Sequence, residues 1–312
     1  MTMSSRLCDD RQRGFALVVV LWIVTLLALQ VSLFNLTVRD AAALAGNELA
    51  VLRGEALAAA AVEVAAARLL DRDAERRWQA DGTTREIAFG GAYLAITIKD
   101  EAARIDVNEA DAELLGALLQ RSAGISGNIA QLVDRIIDWR DADSDRRPRG
   151  AEELDYRRAG MPGGPNNGPL LDASELARVL GFPPDAAHWL ANYLTVFGGE
   201  GNINPMLAPR EVLLMLPGVE EAQVDRALEL RRRGAESAQS VPAELGSAKK
   251  WLTARKGPAY RIELAVRGDT VPAIGTAEAV ILLGKDTLAP YRILSWRYEP
   301  RMWEAQGPGD RQ

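Results

Sequence analysis

The sequence predicts an α+β fold in which a long N-terminal helix packs on a small antiparallel sheet and a large all-α insertion interrupts that sheet. Three observations predict it. Residues 15–38 carry no charged side chain. Apolar and polar residues alternate at 87–98 and again from residue 260, whereas 109–250 has a helical pattern. Separate helical and β domains form the competing layout.

The uncharged segment predicts a transmembrane helix. Its 24 residues, 15–38, would extend roughly 36 Å as a helix, which is enough to cross a bilayer. Arg6, Arg11 and Arg13 precede it and favour a cytoplasmic N-terminus, with the rest of the chain across the membrane. A secretory signal peptide would have a shorter apolar region. A plain signal anchor is the other alternative.

The segment that follows predicts a continuation of this helix. Residues 41–70 are rich in Ala, Leu and Val, and sparse charges are spaced as a polar stripe. Gly46 and Gly54 are its weak points as a helix. Two helices joined near Arg39 are the alternative.

The strand-like segments predict one interrupted sheet. Gly90 and Gly91 separate two alternating runs and indicate a hairpin. Three more strand-like runs follow the helical block, at 260–266, 277–283 and 291–298.

The helical block contains an internal repeat. Residues 105–115 recur in pattern at 203–213. In each copy Asn or Asp precedes a helix with Glu in its first turns, which predicts helix-capping roles for Asn108 and Asn204. Direct contact of these residues with a partner is the alternative.

An acidic segment between the copies predicts a calcium site. Its carboxylates recur at spacings that let several oxygens face one centre, as calcium requires. Counted from Asp141, an EF-hand loop would need Gly where Arg146 stands, so the segment predicts a different calcium loop. A solvated loop neutralised by Arg146, Arg147 and Arg149 is the alternative. The candidate ligands are Asp138, Asp141, Asp143, Asp145, Glu152 and Glu153.

The composition excludes several kinds of chemistry. The formal net charge is −6, which disfavours strong binding to nucleic acid. Cys8 is the only cysteine and His188 the only histidine, so the sequence does not supply the residues that a zinc site or a histidine-based triad needs. No Gly-x-Ser-x-Gly or phosphate-binding loop motif occurs. We therefore expect a protein that is not an enzyme.

The junction between Gly14 and Phe15 resembles the type III signal of type IV pilin-like proteins. This resemblance implies that a prepilin peptidase cuts after Gly14 and that Phe15 becomes the methylated N-terminus. Pilins usually carry Glu at the fifth mature position, where this chain has Val19. The Glu is thought to pair with the N-terminal amine of a neighbouring subunit, so its absence implies a subunit poorly suited to the middle of a filament.

Further motifs resemble protein K, a minor pseudopilin of type II secretion systems. They are 138–141, 150–152, and 202–204 leading into 208–213. The resemblance implies a pilin-like fold with a helix-hairpin-helix or SAM-like insertion, and a subunit at the filament tip that starts assembly and limits length. It also implies partners: minor pseudopilins I, J and H, the inner-membrane assembly platform and possible contact with exported substrates.

Together these interpretations divide the chain into five parts: a leader at 1–14, a transmembrane helix at 15–38, the stem helix and first strands at 39–108, the helical insertion at 109–250, and C-terminal strands at 251–312. We expect a single-pass protein of a Gram-negative inner membrane with a periplasmic bulk.

A DNA-binding function is the alternative interpretation. Residues 216–219 with Arg231 to Arg233 resemble a helix-hairpin-helix, whose backbone amides bind phosphate. The hairpin here is followed by Glu220 and Glu221, and the surrounding charge is nearly balanced. This balance favours protein contacts over DNA uptake, and no nucleic-acid partner is expected.

Overall fold

A computed structural model describes residues 11–199, 201–268, 275–284 and 290–300. The first ten residues of the predicted leader and residues 301–312 lie outside the described set.

The described part of the chain forms nine α-helices. They are α1 (Arg11–Leu69), α2 (Ala112–Arg121), α3 (Ile129–Arg140), α4 (Glu153–Arg158), α5 (Pro184–Leu190), α6 (Arg210–Leu214), α7 (Glu221–Arg232), α8 (Ala235–Ala238) and α9 (Val241–Glu244). Short 3₁₀ helices lie at Glu101–Ala103, Ala173–Arg178 and Gly246–Trp251.

The strands are β1 (Asp81–Phe89), β2 (Ala92–Asp100), β3 (Ile105–Asp106), β4 (Leu194–Thr195), β5 (Ala259–Gly268), β6 (Gly275–Leu283) and β7 (Tyr291–Pro300).

The N-terminal anchor and the stem form one helix, α1, of 59 residues. The prediction of a continuous helix is confirmed, and the helix continues through Gly46 and Gly54. Its small side chains Ala58, Ala61 and Ala65 are fully buried, which lets α1 lie close against the sheet.

The main sheet is antiparallel, with strand order β1-β2-β5-β6-β7. Strands β2 and β5 are neighbours, and Asp100 is the Cα partner of Tyr260. The helical block between them is therefore an insertion into one sheet, as predicted, and the layout with two separate domains is wrong. The main sheet is interrupted from the end of β2 at Asp100 to the start of β5 at Ala259, whereas the sequence placed the helical block at 109–250.

The insertion leaves the sheet at the end remote from the uncharged part of α1. At the near end, Arg53 on α1 donates a hydrogen bond of 2.9 Å to the carbonyl of Gly90 in the β1–β2 turn. Farther along α1, the Tyr291 hydroxyl donates to Glu63 at 2.6 Å. Since β2 runs away from the turn toward Asp100, the insertion lies beyond the membrane-distal end of the sheet.

The internal repeat is present, but the predicted capping residues are wrong. The carboxylate of Asp106 and the amide of Asn204, at equivalent positions, each accept a hydrogen bond of 2.9 Å from the backbone two residues on. Asn108 instead exchanges two hydrogen bonds with the backbone of Leu170, and Asp111 caps α2. An asparagine amide both donates and accepts, so it can tie a distant loop, which a sequence pattern does not reveal.

Candidate functional site

Asp138 lies at the base of the acidic segment. It is on α3, its side chain is fully buried, and its oxygens accept from the Arg147 amide at 3.2 and 3.4 Å. Burial raises its pKa, and the hydrogen bond from the Arg147 backbone opposes that rise. The backbone of Gly150 passes so close that a Cβ atom there would lie 1.8 Å from Asp138 Oδ2. The segment is thus folded tightly over a buried carboxylate.

Glu152 and Asp141 each present a buried carboxylate oxygen without a hydrogen-bond partner among the described residues, Oε1 and Oδ1 respectively. Burial raises the pKa of Glu152 to about 7, and the charges of Asp138, Asp141, Asp143 and Asp155 add to the rise. Burial is the main cause that raises the pKa of Asp141, and the negative charge of Asp143 is the next. This arrangement disfavours ionised carboxylates unless a cation joins them.

The outer acidic side chains are differently placed. Asp143 and Asp145 are exposed, and Asp143 Oδ1 accepts from the Asp145 amide at 2.8 Å. Glu153 is exposed and lies 3.8 Å from Arg157. In the described ranges, no three or more Asp, Glu, His or Cys side chains are arranged to hold a metal ion. The structure therefore does not gather the six predicted ligands around one point.

Asn167 is a candidate ligand that the sequence analysis missed. Its Oδ1 is buried and has no hydrogen-bond partner within the described structure, while its Nδ2 donates to Ser144 at 3.2 Å. Its φ of 46° is unusual outside glycine and fixes the turn that brings the side chain to the acidic segment. The turn-rich composition of 162–170 was the available signal, but composition does not show which loop it faces.

The nearby arginines do not neutralise the whole segment. Arg147 lies 3.8 Å from both Asp134 and Asp138, and Arg149 lies 3.4 Å from Asp134. Arg146 pairs with Asp155 at 3.5 Å. These pairs leave the buried oxygens of Asp141 and Glu152 unpaired, so the arginine-neutralised alternative explains only part of the arrangement. The unpaired oxygens of Asp141, Glu152 and Asn167 have the chemistry that calcium prefers.

Two amides of the hairpin between α6 and α7 are engaged within the protein. The Glu220 amide donates to the side chain of Gln223 at 2.8 Å, and the Val219 amide donates to a carbonyl within the turn. The carbonyls of Gly218 and Val219 accept from Ser247 and Arg121. The hairpin is thus used for internal packing, which weighs against the DNA-binding alternative.

The arginines near this hairpin are also engaged. Arg231 donates to the carbonyl of Ala208 at 2.6 Å, while Arg232 and Arg233 pair with Glu229 at 2.7 and 3.2 Å. They do not form an unopposed basic surface of the kind that DNA binding requires.

The uncharged part of α1 has the properties of a membrane anchor. From Leu17 it includes an 18-residue window of mean hydropathy 2.6, none of it buried, and it is the one such helix in the described chain. Val19 lies within it and is 40% exposed. Gly14 and Phe15 belong to the first turns of α1, and their side chains lie outside the described set. This helix fits a single-pass anchor.

Comparison with known proteins gives two matches. Residues 94–199 match the family described as Type II secretion system (T2SS), protein K. The fold is similar to a chain in the crystal structure of the GspK-GspI-GspJ complex from the enterotoxigenic Escherichia coli Type 2 Secretion System, with a TM-score of 0.60 and 15% identity over 80% of this chain and 97% of that chain. At this identity the likeness shows the fold. A search of curated proteins found no significant match.

The family match begins in β2 and covers the insertion as far as residue 199, including the acidic segment from Asp138 to Glu153. Around it, the long helix and antiparallel sheet have the predicted pilin-like arrangement. The segment from residue 94 to 199 thus resembles protein K of the type II secretion system, and the fold that surrounds it is pilin-like.

Proposed function

We propose that this chain is a minor pseudopilin that occupies the tip of the secretion pseudopilus, starts its assembly and limits its length. The position of the insertion, beyond the membrane-distal end of the sheet, supports this proposal. A further subunit stacked above would have to occupy the same space. Growth could then continue only by addition from the membrane side.

The apolar Val19 supports the same role. An acidic side chain within the membrane is costly unless a partner charge meets it. A tip subunit has no subunit above it to supply that partner, so Val is the more stable choice.

The partners are proposed to be minor pseudopilins I, J and H. The solved relative is a complex that contains GspI and GspJ. In this chain, the stem between anchor and sheet exposes Leu44, Leu49 and Leu52 by 65%, 68% and 61%. Exposed apolar side chains on the part of α1 that is not packed on the sheet suit lateral contact with similar helices. The assembly platform and exported substrates are further proposed contacts.

We propose that a prepilin peptidase cuts after Gly14, that Phe15 is methylated, and that the bulk of the chain lies in the periplasm, anchored in the inner membrane. The uncharged helix that begins at this junction supports the proposal. N-terminal sequencing of the mature chain should begin at Phe15. A different first residue would contradict it. The proposed role is structural, without catalysis.

Calcium is proposed to bind the acidic segment, with Asp141, Glu152 and Asn167 as ligands and with Asp138, Asp143, Asp145 and Glu153 as the remaining sequence candidates. The support is the set of buried, unpaired oxygens described above. When bound, calcium would supply the positive charge that these oxygens lack. Its role would be to hold the loop after α3 against the turn that contains Asn167.

The raised pKa of Glu152 makes calcium binding depend on pH. Its pKa is about 7 in the folded chain against an ordinary 4.5, so without calcium the proton favours folding, and stability should rise as pH falls from above 7 toward 4.5. Calcium competes with that proton. Calcium should therefore raise the melting temperature of the detergent-solubilised chain more at about pH 8 than at about pH 5.5.

Two variants control this melting experiment. Glu152→Gln should remove most of the calcium shift, whereas Glu113→Gln, an exposed carboxylate on α2, should retain it. An unchanged melting temperature with calcium or chelator at both pH values would rule out the site.

Labelling the insertion tests the tip proposal. In a Cys8→Ser background, Gln120→Cys places one reactive thiol on the exposed side of α2. Gold attached there should mark one end of each filament, while a label on the major pseudopilin should mark the whole shaft. Gold along the shaft would contradict the proposal.

A further inference from the structure

The sheet and the insertion have separate hydrophobic cores. One core lies between α1 and the sheet and contains residues such as Ile96, Ile262 and Ala61. The other lies within the insertion and contains Leu114, Ile136 and Val212. No residue of the described ranges belongs to both. Apolar packing therefore does not fix how the insertion is oriented on the sheet.

Charged and polar groups instead hold the junction between the main sheet and the insertion. Glu101, immediately after β2, is fully buried. Its carboxylate accepts from Arg261 of β5 at 2.8 and 3.2 Å, and Arg261 also donates to Glu278 of β6 at 2.5 Å. From the insertion, the hydroxyl of Thr195 on β4 donates to the same carboxylate. One buried group is thus bonded to both sides of the junction.

Arg104 reinforces this network. Its Nε lies 3.8 Å from Glu101, and it donates to the carbonyls of Ala191 and Leu194 at 3.3 and 3.5 Å. The side chain is only 10% exposed. Arg104 therefore connects the Glu101 carboxylate to the backbone beside β4.

Open clefts flank these groups. Two clefts of about 340 and 470 Å³ border the junction, and Arg104, Asn192 and Glu263 line both. The larger cleft lies toward the start of β1, and the smaller one lies over β6 and β7. Beside the Glu101 network, the half-exposed pair of Asp172 and Arg297, 3.5 Å apart, also joins the insertion to β7, and an exposed pair of this kind resists a tilt only weakly.

We propose that Glu101 is a positioning residue whose buried carboxylate fixes the orientation of the helical insertion on the sheet. A buried carboxylate with several directional donors holds one geometry, whereas an apolar contact can slide. Removal of its charge leaves Arg261 with Glu278 as its one remaining acidic hydrogen-bond partner and takes from Arg104 the carboxylate 3.8 Å away. The insertion then tilts about its two chain connections without unfolding either core. The inference does not depend on the tip role.

Distance measurement between spin labels tests this proposal. The labels are placed at Gln120→Cys on α2 and Thr276→Cys on β6, two exposed positions, in the full-length detergent-solubilised Cys8→Ser chain. Double electron–electron resonance between the two labels should give one narrow distance distribution. Glu101→Gln, which keeps the shape and removes the charge, should broaden the distribution and shift its mean, with unchanged circular dichroism.

The matched control is Glu263→Gln. Glu263 lies two residues from Arg261 on β5, but its partner Lys99, at 2.6 Å, is also on the sheet, so the pair does not cross the junction. This variant should keep the narrow distribution. A narrow distribution in Glu101→Gln, or equal broadening in Glu263→Gln, overturns the proposal.

Thr195 provides a second test if Glu101→Gln does not fold. Thr195→Val removes the hydroxyl that the insertion donates and should broaden the distribution, while Thr195→Ser restores the hydroxyl and should narrow it again. If Thr195→Val stays as narrow as the unsubstituted chain, the positioning role of Glu101 is wrong.

Discussion

Replacement of residues 101–259 by an Asn-Gly turn should leave the helix and sheet folded while filament growth loses its limit and secretion fails. Asp100 and Tyr260 are already antiparallel partners, so two residues can connect them as a hairpin. The core between α1 and the sheet contains no residue of the insertion and should persist. Secretion is measured as exoprotein in the medium of cells that lack the native chain.

The unsubstituted chain, expressed to the same level, is the control for this replacement, and membrane fractionation confirms that both proteins are anchored. Because the variant keeps Val19 and the stem leucines, it should still join its partners in the membrane. Normal secretion by the variant would show that the insertion is dispensable, and the steric account would be wrong.

The second large effect is expected at Gly150. An alanine Cβ there would lie 1.8 Å from Oδ2 and 2.6 Å from Cγ of Asp138, whose side chain is fully buried and accepts hydrogen bonds from the Arg147 amide. Such overpacking should lower the free energy of unfolding by roughly 3 kcal/mol. Chemical denaturation of Gly150→Ala measures the loss.

Gly116→Ala is the matched control for that substitution. Gly116 lies within α2, and a Cβ there would meet nothing within 4 Å. Alanine should therefore stabilise the helix by roughly 0.5–1 kcal/mol. If both variants lose the same stability, the close approach of Gly150 to Asp138 is not the cause.

The sheet could be predicted because its strands have one face on a core. Residues 93–98 and 260–266 alternate, and the structure buries Leu94, Ile96 and Ile98 against α1. The limits of the insertion were harder to predict. The residues that connect Asp100 to α2 form only a short 3₁₀ helix, the two-residue β3 and turns to which the side chains of Asp100 and Asp106 are hydrogen-bonded, so no repeating pattern marks them.

The candidate site was only partly predictable for a related reason. Spacing along the chain indicated the acidic residues, but not which of them would be buried. Burial separates Glu152, with its raised pKa, from the adjacent Glu153, which is exposed. Only the folded insertion brings Asn167 to Ser144, and Thr195 to Glu101, because the members of each pair are far apart in the sequence.

Filament length, measured by electron microscopy, tests the central claim most directly. Cells that overproduce the major pseudopilin are compared with either the unsubstituted chain or the Asn-Gly replacement of 101–259. If the insertion blocks addition above the tip, the unsubstituted chain should give short filaments of limited length and the replacement should give long, widely distributed ones. Equal length distributions for the two proteins would contradict the capping role.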